Sequence, residues 1–344
     1  MRDRREAIAK ERYGSPAVER QGSSILSLTP RWPRDYEFLL SAKRGAAHGG
    51  FELMYPEPIE EYHAPTDLAE ALALLSRLGG SAKVLAGGQS LMQQMKARLV
   101  APRVVVDLNR VRGLDEITEA NGTLDIGALV RFHRAADDGL LRQRFTALAE
   151  AAAAIGDRQV RNRGTLVGSV AFAANYGDIA PAAAALAAKV VVAGGDTRAR
   201  EQPIEDFVRG AGVLDMAATE IIVAIRVPVP PARSGSAYVK HGRVYQDRAT
   251  IGVAAWVAVD GAGHCADVRI AVGGLARPIE RAAAAEEELR GKVCDSPRLA
   301  QAGEAAAASL RTQSDELASA EYRTQLLRVQ VPKALEVALG RTAR

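Results

Sequence analysis

The chain has 344 residues, 48% hydrophobic, 25% charged and only 5% aromatic, with a formal net charge of +4. That length supports two or three cores, and so mild a charge with so few aromatics leaves no footprint for nucleic acid. Two cysteines, Cys265 and Cys294, are too few for a disulfide framework or an iron–sulfur set, and no apolar run reaches the ~18 residues of a membrane span.

Residues 1–50 hold ten Lys/Arg against six Asp/Glu, which accounts for the whole positive excess. Residues 1–53 mix charge, Gly, Ser and Pro with little periodicity and read as a disordered tail. Met54 opens the first well-patterned stretch, which leaves open whether the tail belongs to the native product. MRDRREAIAKER has arginines but no apolar core before a cleavage site, so no signal peptide is expected. A soluble, cytoplasmic protein with reduced cysteines is the expectation.

In PTDLAEALALLSRLGG (65–80), Leu68, Leu72, Leu75 and Leu78 share one helical face, with Thr66 as the expected N-cap and Gly79-Gly80 as the stop. KVLAGG follows as strand and turn, then a short helix near 90–98 and the strand RVVVDL (103–108). ITEANGTLDIGAL (117–129) is two strands joined by Asn-Gly, a strong hairpin signal. Residues 131–138 and 139–156 read as helices, followed by a glycine-spaced loop, an alanine-rich helix and a strand at 189–193. EIIVAIRVPVP (220–230) adds a strand and a proline-rich boundary. Residues 236–274 read as a small antiparallel sheet, and 278–291, 297–311 and 321–339 as helices. The fold class is α+β, with a mixed α/β domain over 54–228 and a smaller α+β domain over 229–340.

Two glycine loops stand out: Ala86-Gly87-Gly88-Gln89-Ser90 and Gly164-Thr165-Leu166-Val167-Gly168-Ser169. Each offers small residues, backbone N–H groups and a hydroxyl, the combination a pyrophosphate needs. Neither is the dinucleotide fingerprint of the doubly wound fold nor the ATPase phosphate loop, and each alone could be a structural turn. The five histidines are scattered and no His/Cys cluster has metal-ligand spacing. No Ser–His–Asp order can be argued either.

LAGGQSLMQQMKARL, VRNRGTLVGSVAFAANYGD and the later EYR (321–323) occur in that order. Together they resemble the flavin-binding medium subunit of the molybdenum hydroxylases, the carbon monoxide and xanthine dehydrogenase family, over residues 54–340. The resemblance implies a two-subdomain FAD-binding domain of the PCMH type, followed by a C-terminal domain of the carbon monoxide dehydrogenase flavoprotein type. It implies non-covalent FAD. Ala86, Gly87, Gly88, Gln89, Ser90 and Leu91 would wrap the pyrophosphate, and Thr165, Gly168 and Ser169 would form the second side. Asp178 would bind the sugar-alcohol chain, Ile222 would pack near the adenine part, and Lys240 would lie close to the isoalloxazine ring. A positive charge there favours negative charge on the ring.

From the residues alone, Asp178 could instead cap the helix that starts after Pro181, and Lys240 could be a solvated strand residue. Arg158, Arg161 and Arg163 could approach phosphate or lie in solvent. The chain departs from the family pattern at Val167, where a glycine is usual, and at Ser169, where an asparagine is usual. A β-branched residue at positive φ, or beneath the diphosphate, would weaken FAD binding.

The function implied is an electron-transfer flavoprotein subunit of an oxidoreductase complex. Its partners would be a molybdenum-cofactor large subunit and a 2Fe–2S small subunit, in a dimer of heterotrimers. Two rivals remain: a stand-alone flavin oxidase or dehydrogenase, and a flavin-less interaction subunit that keeps the fold.

Overall fold

Three short strands separated by helices build the first layer of the computed structural model, which describes residues 57–195 and 199–343. The expectation for residues 1–53 lies outside the described residues. Strand β1 (Glu61–His63), helix α1 (Leu68–Leu78), β2 (Ala82–Leu85), α2 (Leu91–Lys96) and β3 (Val104–Asp107) alternate, and the strands pair in parallel in the order β1-β3-β2. The central strand is three valines buried one after another, as a strand covered on both faces requires. The N-cap of α1 is Asp67 rather than Thr66: the Glu70 amide donates to its carboxylate at 2.8 Å, and the Thr66 amide donates to Glu70 at 2.9 Å.

The second layer opens with the expected hairpin, β4 (Ile117–Ala120) and β5 (Thr123–Gly127), turned by Asn121 and Gly122 at φ 51° and 75°. Helices α3 (Phe132–Asp137), α4 (Gly139–Arg144) and α5 (Thr146–Ala153) come next. The single helix expected over 139–156 is therefore two. Phe145 breaks it with φ −123° and ψ 44°, burying its ring in the core.

Two more helices, α6 (Arg158–Arg163) and α7 (Leu166–Phe172), occupy the segment expected to be loop, because Asp157 and Thr165 each cap a new start. The alanine-rich α8 (Ile179–Ala185) follows, then β6 (Lys189–Ala193), β7 (Arg200–Pro203), α9 (Ile204–Phe207), β8 (Val208–Gly210), β9 (Val213–Leu214) and β10 (Ile221–Pro228). The five larger strands form an antiparallel sheet in the order β4-β5-β10-β6-β7.

Strands β11 (Ser234–His241), β12 (Ile251–Val259), β13 (Cys265–Gly273) and β14 (Glu280–Arg281) make the last sheet. Helices α10 (Ala283–Glu287), α11 (Ser296–Ser309) and α12 (Ala320–Leu339) complete the chain. The helix expected over 278–291 is only α10, since residues 280–281 pair with β13. Strand alternation divides this sheet's faces: Ile251, Val253, Ala255 and Val257 join the core beneath α11 and α12, while Tyr238, Ala254 and Ala271 turn toward α8.

Helix α5 covers the free edge of β11. The Ala147 amide donates to the Ser236 hydroxyl at 3.1 Å, and the Tyr238 amide donates to Glu150 at 2.8 Å. Within the EYR triplet, Arg323 serves the fold. Arg323, 1% exposed, donates to the Thr250 and Gln313 carbonyls at 3.1 and 2.6 Å and to both Asp315 oxygens at 2.8 Å, tying α12 to β12. Of the three residues Arg323 is the buried clasp, while Glu321 and Tyr322 are exposed.

Candidate functional site

The end of β2 delivers Ala86–Ser90 to a turn in which Gly88 takes φ 74°, a conformation open to glycine. The amides of Gly87, Gly88, Gln89, Ser90 and Leu91 find no acceptor among the described residues. A run of free main-chain donors on a floor of small residues forms an anion-binding concavity. Its back wall is the start of the second segment. A β-carbon at Gly87 would stand 2.4 Å from the Arg163 carbonyl oxygen and 2.8 Å from Gly164 Cα.

Two residues not foreseen from the sequence hold these segments together. The Asn109 side-chain Nδ2 donates to the Ala86 carbonyl at 2.9 Å, and Arg131 donates both to the Asn109 side-chain oxygen and to the Arg163 carbonyl. Burial, and then the charge of Arg163, pull Arg131 below the usual guanidinium range. A polar residue just after β3 and a basic one at the start of α3 were the available signals, but neither lies in a glycine motif.

The second segment is a capped helix start. The Gly168 amide donates to the Thr165 hydroxyl at 2.9 Å, the Leu166 amide to the Val130 carbonyl at 3.2 Å, and the Ser169 amide to the Thr165 carbonyl at 3.1 Å. Thr165 and Gly168 are thus committed first to the cap, and a β-carbon at Gly168 would meet the Thr165 hydroxyl at 2.6 Å. Val167 lies in the first turn of α7, 4% exposed, and is absent from the positive-φ residues. The strain expected of a β-branched residue there does not arise. Val167→Gly should therefore lower stability by about 2 kcal/mol without tightening FAD binding, through lost burial and added backbone entropy. Denaturant unfolding with an FAD titration measures both, and tighter binding by the glycine variant would overturn this reading.

Asp178 and Lys240 meet across the two parts of the chain. Asp178 sits at the head of α8, but its side chain makes no capping bond. Instead the Tyr238 hydroxyl donates to Asp178 Oδ1 at 2.5 Å, and Lys240 Nζ donates to Oδ2 at 3.3 Å and to the Ala154 carbonyl at 3.0 Å. The ion pair is buried, with Lys240 and Asp178 side chains 11% and 8% exposed. Lys240 is therefore not a solvated strand residue. Burial pushes the Asp178 carboxyl above its ordinary value, against the opposing pull of Lys240 and of the Tyr238 hydrogen bond. The Tyr238 phenol is pushed well up, by burial first and then by the carboxylate. Tyr238 was also unforeseen, although it lies two residues before Lys240 and alternation puts both on one face.

Three residues before Asp178, the Asn175 side-chain oxygen is buried without a hydrogen-bond donor among the described residues, while its main-chain carbonyl accepts from Gly274 at 2.7 Å. Ile222 stands apart from this polar cluster. It is a core residue of β10 beside a bulge, in the sheet against which α7 packs. Arg161 donates to the Ile155 and Gly156 carbonyls at 2.9 and 3.0 Å, closing the end of α5. Among the described residues no cluster of three His, Cys, Asp or Glu could hold a metal ion, and no helix is long and apolar enough to cross a membrane.

The family model for the FAD binding domain in molybdopterin dehydrogenase matches residues 57–230, and that for the CO dehydrogenase flavoprotein C-terminal domain matches 236–338. The carbon monoxide dehydrogenase medium chain of Hydrogenophaga pseudoflava is 35% identical, over 83% of this chain and 99% of its own. The 6-hydroxypseudooxynicotine dehydrogenase complex subunit alpha of Paenarthrobacter nicotinovorans is also 35% identical, over 83% of this chain and 96% of its own. Among solved structures, carbon monoxide dehydrogenase from Hydrogenophaga pseudoflava superposes with a TM-score of 0.79 at 37% identity, covering 84% of this chain and 99% of that one. The residues present fit FAD: a run of free amides suits a pyrophosphate, and a buried carboxylate with an unpaired amide oxygen close by in sequence suits hydroxyl donors.

Proposed function

Because the chain belongs to the FAD-binding medium subunits of the carbon monoxide and xanthine dehydrogenase family of molybdenum hydroxylases, we propose that it passes electrons from an iron–sulfur subunit to an external acceptor. It is an oxidoreductase subunit and its cofactor is FAD. When bound, the flavin supplies the electron-carrying chemistry, and the protein supplies binding, orientation and electrostatics.

The observation that carries this reading is the five successive amides, Gly87 to Leu91, without acceptors among the described residues. They hold the pyrophosphate, with Ala86 bonded to Asn109 behind them. Thr165, Gly168 and Ser169 close the opposite side. Asp178 accepts hydrogen bonds from the polyol chain, and Lys240, kept in place by Asp178 and Ala154, brings a positive charge toward the ring. Ile222 contributes apolar surface on the adenine side. None of these residues is required to act as a general acid or base.

In this reading a molybdenum-cofactor large subunit oxidises the substrate and a 2Fe–2S small subunit relays the electrons, in a dimer of heterotrimers. The free thiols of Cys265 and Cys294 suit a reducing cytoplasm. The test is to purify the full chain, alone and co-expressed with the two partner subunits, and record its absorbance through desalting. A flavin band at ~450 nm that stays with the protein is the expected result. An intact complex without bound flavin overturns the proposal, and substrate turnover by the isolated chain replaces it with the stand-alone enzyme.

A further inference from the structure

Among the described residues, Tyr238 is the one group besides Lys240 that bonds to the Asp178 carboxyl, and the fold makes room for it. Its hydroxyl lies 2.5 Å from Asp178 Oδ1 in a buried position. Gly252, across the ladder on β12, leaves that space open: a β-carbon there would stand 2.1 Å from the Tyr238 hydroxyl oxygen. The Tyr238 amide is fixed to Glu150 at 2.8 Å, and Glu150 is held in turn by Arg341. Both the phenol and its backbone are therefore anchored.

With Tyr238 on Oδ1 and Lys240 on Oδ2, each carboxylate oxygen keeps one lone-pair direction for another donor. Hydroxyl groups bind an ionised carboxylate about twice as strongly as a neutral one. We propose that Tyr238 is a positioning residue for FAD, keeping Asp178 ionised and its free lone pairs directed at the polyol chain. This rests on the reading that Asp178 holds that chain.

Most of the remaining charges around α8 are engaged elsewhere. Helix α7 and strand β12 carry no ionisable group. On β13, Arg269 donates to the Ala184 carbonyl and to Glu205 of α9, and Asp267 pairs with Arg290. Glu150 of α5 bonds to Arg341 and the Tyr238 amide, and Asp206 of α9 makes no bond to the carboxyl. The proton affinity of Asp178 is therefore set chiefly by burial, Lys240 and Tyr238.

The test is FAD titration of the full-length, flavin-stripped chain by fluorescence quenching between about pH 5 and pH 8. Tyr238→Phe should weaken binding about tenfold at neutral pH, the loss of one hydrogen bond to a charged group. Removing that bond also lets the Asp178 carboxyl protonate more readily, so the acid limb of the affinity profile should move to higher pH. Asp178→Asn should weaken binding and abolish the acid limb. Gly252→Ala, which displaces the hydroxyl but keeps the phenol, should copy Tyr238→Phe, and it serves if that variant does not fold. A Tyr238→Phe chain with unchanged affinity, or one weakened equally at every pH, overturns the proposal. If the wild-type chain binds no FAD at any pH, the flavin reading itself falls and this inference with it.

Discussion

Gly87→Ala is expected to reduce FAD affinity about 100-fold, the equivalent of one or two charge-assisted hydrogen bonds, and to cost the apo chain ~1–3 kcal/mol. The added carbon would lie 2.4 Å from the Arg163 carbonyl oxygen and 2.8 Å from Gly164 Cα, both main-chain atoms with no rotamer to change. Arg163 is held by Arg131, and Gly164 is wedged against Phe132, whose ring a β-carbon at 164 would meet at 2.4 Å. The first loop must therefore retreat, carrying the amides of Gly87 to Leu91 with it. Gly80→Ala is the control: a β-carbon there meets nothing within 4 Å and its φ is not positive. That variant should stay within about 0.5 kcal/mol of wild type and bind FAD normally. Equal behaviour of the two variants in flavin titration would remove the close approach of the loops from the account of the site.

The two loops were unequally legible in the sequence, for a physical reason. Gly87-Gly88 follows a short β-run, and close backbone approach with a positive φ are properties that glycine advertises. In GTLVGS the same residue type has other tasks. Gly164 makes room for Phe132, and Gly168 lets the Thr165 hydroxyl reach its amide, so the segment is a helix start that reads as a loop. The Asn121-Gly122 hairpin and the antiparallel strands β12 and β13 were plain, because turn chemistry and short apolar β-runs are local signals. Asn109, Arg131 and Tyr238 were not. Each works through a partner between 22 and 60 positions away, and pairing of that kind is created by the topology. Tyr238 could have been inferred from Lys240 by alternation, but its partner Asp178 could not be assigned to it without the packing of α8 on β12 and β13.

Lys240→Met should destabilise the flavin-free chain by ~3–5 kcal/mol at neutral pH, the cost of leaving one member of a buried ion pair alone. The pH dependence separates this cause from simple loss of packing. Asp178 ionises near 3.8 when unfolded, and its folded value is raised by burial. A carboxyl of this kind contributes its full stability below 3.8 and loses it as pH rises through the folded value. Lys240 opposes the rise, through its charge and its hydrogen bond, so removing it raises the folded value further and enlarges the loss. The deficit of the variant should thus grow with pH, from about 1 kcal/mol near pH 4, where only a hydrogen bond is missing, to its full size near neutrality. Adding Asp178→Asn removes the unpaired charge and should recover most of the deficit. Denaturant unfolding of the three chains across that range decides the matter. A deficit that is the same at pH 4 and pH 7, or one that the double variant does not relieve, would show that Lys240 stabilises the junction by filling space rather than by neutralising Asp178.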